Sequence, residues 1–385
     1  MENKKNKRIL FITGIFDDMI PATIEIVKEL TDLGHNITCY SLDKFADSLK
    51  ETGVKLKLYS INKNEFNKIP RFLLERAKLS IIMKNAYDFI LRDSIKSEEK
   101  YDYLLFDSFF DGAEMNKIFK IPTIVSLYSS PLEEKTPFIE ITRENRMKFL
   151  NEINKKYNIN IRDYLSVRYI VDARYNIIFS SKLFQQKLKI LNDTFYFIGP
   201  VIENITIDES FVFKKDENKK LINISIDSLL HDNIEFYKMC IDTFKNSEEF
   251  QMIIDVGEKV DIKQFGDLPV NISVFKDVPQ HQILPVTDIF ITDTRMEPVI
   301  KGVFINNLPL IVIKQDIEHN QARLIEKSEV GISLDINKLN KESLYKAIND
   351  FLSNKSKYMV GVEKIVKSFR EARNNRKKIL EEIFV

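Results

Sequence analysis

The chain has 385 residues, 44% of them hydrophobic and 30% charged, which suits two globular domains of about 150 to 200 residues rather than one core. Its 58 Lys and Arg balance 57 Asp and Glu, a formal net charge of +1, so no bulk field selects for nucleic acid or an anionic membrane surface. Two widely separated cysteines and four scattered histidines argue against a disulfide framework and show no zinc spacing, so no metal is expected.

The charged start, Met1 to Arg8, is followed by too short an apolar stretch before Asp17 and Asp18 to serve as a secretory leader. No apolar run reaches the length that spans a bilayer, about 18 residues. A cytoplasmic protein without a transmembrane segment is therefore expected. Arg8 to Thr13 is a short, nearly all-apolar run, the pattern of a strand buried on both faces. Pro21 then suits a first helical turn, Ile24, Val27 and Leu30 follow at helical spacing, and Gly34 offers a C-terminal cap. Asn36 to Tyr40, with Cys39 expected as a buried reduced thiol, reads as the next strand. Tyr103 to Phe106, Thr123 to Leu127 and Asn176 to Phe179 are further buried-strand candidates. The charged, irregular stretch Asp208 to Lys220 reads as a linker. A second series of strands follows at Leu221 to Ile226, Gln251 to Val256, Ile272 to Phe275, Asp288 to Thr292, Leu310 to Ile313 and Gly331 to Leu334. Cys240, in the apolar element between the first two, is again expected as a reduced thiol. Lys341 to Phe351 and Val360 to Ile383 are amphipathic helical patterns. Strands alternating with helices predict α/β domains with parallel sheets.

Several segments together carry a resemblance. They are the opening strand with the loop Phe16 to Pro21, the strand end Leu104 to Asp107, and the junction Phe197-Ile198-Gly199-Pro200. In the second half they are Ile224 to Ser228, Asn233 to Tyr237, Val278-Pro279-Gln280, Asp293 to Lys301, and Ile313 to His319. The chain resembles the family 1 glycosyltransferases of the bacterial macrolide, UDP-glycosyltransferase type. That resemblance implies a glycosyltransferase-B fold, an α/β architecture of two doubly wound, Rossmann-like domains facing across a cleft. The expected limits are residues 1–205 for an acceptor-side domain and 206–365 for a donor-side domain. Residues 366–385 would form a C-terminal helix crossing back to the first domain.

The resemblance also assigns roles. Asp18 stands where the family has the His that deprotonates the acceptor, and Asp107 matches the Asp that orients it. Ser225, Asp227 and Ser228 lie in the turn whose small residues let backbone approach the phosphates. Val278 and Gln280 belong to the segment that cradles the nucleotide base. Asp293, Thr294 and Arg295 fill the positions of a His-Gly-Gly turn that opens the diphosphate-holding helix. Lys301 replaces the Glu used on the ribose, and Glu318 and His319 fall in the segment that binds donor-sugar hydroxyls. The implied ligands are a nucleotide sugar, a UDP- or dTDP-hexose, and a small-molecule acceptor; no separate cofactor is expected, and a homodimer or a partner enzyme stays open.

The replacements bear on the chemistry. A diphosphate needs free amides at a helix N-terminus. Here Asp227 replaces a Gly, Asp293 replaces the phosphate-facing His, Glu297 is itself an N-terminal acid, and Pro298 removes an amide donor. A carboxylate about 4 Å from a phosphate charge costs ~4 kcal/mol at an effective dielectric near 20. Arg295 and Lys301, with Lys314, His319 and Arg323 downstream, could form a rearranged anion clamp. The more ordinary expectation is that they pair with Asp293, Glu297 and Glu318. A cluster of Asp17, Asp18, Asp107, Asp227 and Asp293 could instead suit a cation, though such acids are usually solvated surface. Asp18 next to Asp107 could act as a base if one pKa of the pair is raised; two loop acids at the start of the Pro21 helix are the plainer reading. Phe66, Phe72, Leu73, Met83, Tyr87, Phe89, Tyr128 and Phe138 fall where the family lines its acceptor pocket, but with 28 Phe in the chain most are expected in the core. Three readings follow: a family member with altered or lost donor chemistry, an active hexosyltransferase using Asp18, Asp107 and the Arg295/Lys301 clamp, or a non-catalytic binder or partner of an intact enzyme.

Overall fold

The computed structural model describes residues 6–13, 19–61, 85–94, 96–108, 119–128, 151, 155, 173–185, 191–202, 207–226, 233–258, 260–314 and 319–385. It divides into two compact units, one of residues 1–181, 187–201 and 372–385, the other of residues 182–186 and 202–371. Each is built on a wholly parallel sheet.

The first sheet has seven strands, β1 (Arg8–Ile12), β2 (Asn36–Leu42), β3 (Lys55–Tyr59), β4 (Tyr103–Asp107), β5 (Thr123–Leu127), β6 (Tyr175–Ile178) and β7 (Phe195–Phe197). Their spatial order is β3-β2-β1-β4-β5-β6-β7, and every neighbouring pair is parallel. The central strands are continuous apolar runs because both sheet faces are covered. Two strands escape the sequence reading, β3 and β7, and both are edges. Lys-Leu-Lys-Leu-Tyr of β3 alternates instead of running apolar, as a strand does when one side stays near water. The helix Ile20–Asp32 starts with Pro21 in its first turn and buries Ile26, Val27 and Leu30. Gly34 ends it at φ 90°, with its amide on Thr31 O and that of His35 on Leu30 O, a left-handed cap that glycine adopts without strain.

The second sheet has six strands, β8 (Lys220–Ser225), β9 (Phe250–Asp255), β10 (Ile272–Phe275), β11 (Ile289–Thr292), β12 (Leu310–Lys314) and β13 (Gly331–Asp335). Their order is β10-β9-β8-β11-β12-β13, again all parallel. Asn233 caps the helix Ile234–Phe244 through a side-chain bond to the Phe236 amide, and Asn340 with Ser343 forms a capping box on the helix Lys341–Ser353. The stretch 208–220 is irregular but is no free linker, which corrects the sequence reading. Phe211 and Phe213 pack on Leu221, Ile253, Val278 and Ile283, and Gln251 Oε1 accepts the Asp216 amide at 2.8 Å. Its charges concealed two aromatic anchors. Both cysteines are free and buried, and burial pushes both thiols up. Among the described residues no helix is long and apolar enough to cross a membrane.

Candidate functional site

In a parallel open sheet, ligands favour the carboxyl ends of the strands where the winding reverses direction. Those points are β1/β4 in the first unit and β8/β11 in the second.

At β1/β4 the strand ends are polar and buried. Thr13 Oγ1 donates to Ser41 Oγ at 3.0 Å. Asp107, the last residue of β4, is fully buried and pairs in register with Ser126. The Tyr59 hydroxyl is held above its ordinary pKa by burial first, then by Cys39 and by the Asp107 charge. Asp17 and Asp18 lie outside the described residues, so the structure describes only Asp107 of that pair. Of the acceptor-pocket candidates, Phe66, Phe72, Leu73, Met83 and Phe138 also lie outside them. Tyr87 is buried, and Phe89 packs its ring near those of Tyr40 and Tyr59, so these two are core. Tyr128 stacks on Phe179 with centroids 5.4 Å apart and donates to Met19 O at 2.8 Å, fixing the start of the helix Ile20–Asp32.

At β8/β11 the two strand ends are tied by Thr292 Oγ1 donating to Ser225 O at 2.8 Å. Asp293 follows and is fully buried. Its Oδ1 accepts the backbone amide of Arg295 at 2.9 Å, and its two oxygens accept Arg295 Nε at 3.1 and 3.0 Å. Arg295 is the N-cap of the short helix Met296–Val299, which runs on through a π-helical turn, Ile300–Ile305. Lys301 Nζ bonds Glu297 Oε1 at 2.5 Å, and Arg295 Nη1 lies 3.9 Å from Glu297 Oε2. Gly302 lets this turn press onto the sheet: a Cβ there would lie 2.6 Å from Leu310 Cδ2. Asp293, Arg295, Glu297 and Lys301 thus form one chain of alternating charge. The pairing expected from sequence forms for all of these. Asp227, Ser228 and Glu318 lie outside the described residues, as does the side chain of His319, which opens the helix His319–Lys327.

A further group escaped the sequence reading. Asn223 of β8 is fully buried and donates through Nδ2 to Gln280 Oε1 at 2.8 Å. Beside it Ser225 Oγ lies 3.4 Å from Asp255 Oδ2, at the end of β9. Asp255 is pushed up to about 6 by burial and by the nearby Asp277 charge, against bonds from the Gly257 and Val278 amides and from Gln280 that favour ionisation. Its signal was present: Asp107, Asp255 and Asp293 all follow or end an apolar strand run, and two were noticed. Among the described residues no group of His, Cys, Asp and Glu could hold a metal ion.

No family model matches the chain. Over 363 residues it is 25% identical to NDP-glycosyltransferase YjiC of Bacillus subtilis (strain 168), covering 91% of this chain and 90% of that protein. Over 387 residues it is 24% identical to the uncharacterized UDP-glucosyltransferase YdhE of the same organism, covering 95% of each. The crystal structure of the glycotransferase of kitacinnamycin superposes with a TM-score of 0.78 at 18% identity, over 98% of this chain and 99% of that one.

Over nearly its whole length the chain is similar to glycosyltransferases of family 1. Its two parallel-sheet, Rossmann-like units are those of the glycosyltransferase-B fold.

Proposed function

We propose that the protein is a family 1 glycosyltransferase-type protein for a small, natural-product-type acceptor whose donor chemistry departs from the usual nucleotide-sugar pose. The observation that carries this reading is the Asp293–Arg295 closure. A helix N-terminus holds a diphosphate with free amides and a positive end. Here the Arg295 amide and Nε already serve Asp293, Pro298 offers no amide, and Lys301 serves Glu297. The buried Asp293 carboxylate stands in for the phosphate as a built-in anion. A phosphate about 4 Å from a carboxylate that has lost its cation would meet ~4 kcal/mol of repulsion at an effective dielectric near 20, about a thousandfold in affinity, and with both cations held on the acids none is free for it. Turning Arg295 away to meet the phosphate would leave Asp293 buried without its cation, which costs about 3 to 5 kcal/mol.

Calorimetric titration with UDP and dTDP tests this. The native chain should show no binding at 1 mM nucleotide (about −4 kcal/mol on the affinity scale). The variant carrying Asp293→His, Thr294→Gly and Arg295→Gly should gain affinity. Micromolar binding by the native chain, lost on Arg295→Ala and Lys301→Ala, would overturn the reading in favour of an active hexosyltransferase with a rearranged phosphate clamp.

A further inference from the structure

Ser225 and Asp255 end β8 and β9 and pair in register, so their side chains leave the same sheet face side by side. Ser225 Oγ lies 3.4 Å from Asp255 Oδ2, and the Gly257 amide donates to Oδ1 at 3.2 Å. Gly257 reaches back because its φ of 75° lies in the left-handed region. Each carboxyl oxygen thus has one neighbour: an amide that only donates, and a hydroxyl that can donate or accept. On the other side of β8, Thr292 Oγ1 donates to Ser225 O at 2.8 Å and fixes this strand end. Both Ser225 and Asp255 are half-buried. They stand at the carboxyl end of the sheet beside the β8/β11 reversal, where ligands of open parallel sheets bind.

We propose that Asp255 is a positioning residue that sets the hydrogen-bonding polarity of Ser225, and with it which ligand groups the end of β8 accepts. As a carboxylate, Asp255 takes the single hydroxyl proton of Ser225, and only lone pairs remain for a ligand. A ligand hydroxyl or ammonium can donate to them, whereas a phosphate or sulfate oxygen can only accept. Ser225 then selects a polyol or amine group and turns away an anion. Once protonated, Asp255 donates to Ser225 Oγ, the Ser225 proton is released toward the ligand, and one negative charge is gone. Burial pushes the Asp255 carboxyl up to about 6; the Gly257 amide opposes this, and Asp277, two residues after β10, adds to it. Ser225 from β8, and Val278 and Gln280 from the turn after β10, are neutral; across β8 the Asp293 charge is paired with Arg295. Anion binding should therefore rise as pH falls through 6. The inference deepens the donor-site reading and rests on it in one respect, that the ligand meets this end of β8.

The Cβ carbon signal of Ser225 in the isotope-labelled full-length protein, assigned with Ser225→Ala, tests the proposal. It should titrate with a midpoint near 6 in the native chain and stay flat in Asp255→Asn. In that variant the Gly257 amide holds the Asn oxygen, so its NH2 faces Ser225 and mimics the protonated acid. Titration with sodium sulfate, whose charge is constant over this range, reads the gate through the Gly257 amide signal. Sulfate affinity of the native chain should rise about tenfold from pH 7.5 to pH 5, and Asp255→Asn should hold the higher affinity at both. Adding Ser225→Thr to Asp255→Asn should keep that gain, and adding Ser225→Ala should lose it. A Ser225 signal that is flat in the native chain, or titrates unchanged in Asp255→Asn, overturns the inference. So does a sulfate affinity in Asp255→Asn that never exceeds the native value at pH 7.5, or that Ser225→Ala leaves intact. Micromolar UDP binding by the native chain would overturn the donor-site reading and leave the Ser225 titration standing, so the two failures are distinct.

Discussion

Asp255 ends β9 and Asp293 follows β11, the strands on either side of β8, yet their surroundings make them opposite cases. Asp255 has a folded pKa of about 6 against an ordinary 3.8, so between those pH values the folded state holds the proton more tightly than the unfolded chain. Stability therefore falls as pH rises through that window and stays lower above it. Asp255→Asn keeps the shape and removes the ionisation. It should raise the Tm at pH 7.5, corresponding to about 1 to 3 kcal/mol, and leave it near the native value at pH 4; a lowered Tm at pH 7.5 would sink this. Asp293 is ion-paired with Arg295, Nε to Oδ2 at 3.0 Å, and its removal should be felt in ligand binding. Asp293→Asn is isosteric, so any gain in anion affinity reads charge alone. UDP binding should improve by up to about a thousandfold, most clearly at low salt. If only the His-Gly-Gly variant binds UDP and Asp293→Asn does not, exclusion is a matter of shape and the electrostatic account fails.

At the scale of elements, the helix Lys355–Ile383 carries Arg376, the largest charged side chain buried among the described residues. Arg376 is 2% exposed. Its Nε donates to Ile198 O at 2.7 Å, and Nη2 to Gly199 O and Pro200 O at 3.0 and 2.9 Å. Its Nη1 meets Glu25 at 2.5 Å and Glu29 at 3.2 Å. Burial raises the Glu29 pKa, and Arg376 is the charge that opposes this most. Arg376→Met would leave Glu29 and the Ile198 and Gly199 carbonyls without this partner, while Arg373 still meets Glu25 and Pro200 O; the expected loss is about 3 to 5 kcal/mol in urea unfolding. Arg376→Lys should recover little, because an ammonium lacks the planar fork that reaches all five partners. A loss under about 1 kcal/mol for Arg376→Met would show that the network is not what holds this helix end.

Across the whole molecule, the central strands were legible because a doubly covered parallel sheet demands continuous apolar runs, and Thr123 to Leu127 or Leu310 to Ile313 can be little else. The edges β3 and β7 were not, since an edge half in water loses that signal. The Asp293–Lys301 charge chain was legible because each member lies two to four residues from the next along the sequence. The Asn223–Gln280 bond and the Ser225–Asp255 contact were not, because only the β10-β9-β8 order brings those segments together. The same logic predicts how damage is partitioned. Each unit has its own sheet and its own core, and the helix Lys355–Ile383 contributes residues to both units. Arg376 acts on residues of the first unit. Gly361 belongs to the second, where an added Cβ would sit 2.2 Å from Glu329 O, an overlap that costs about 1 to 3 kcal/mol to relieve. Two lesions on one helix should therefore loosen different sheets. In hydrogen exchange, Arg376→Met should speed exchange mainly in β1–β7 and Gly361→Ala mainly in β8–β13, since local openings follow cooperative packing units rather than chain continuity. Equal acceleration of both sheets by either variant would mean that the two cores unfold as one, and the partition would be wrong.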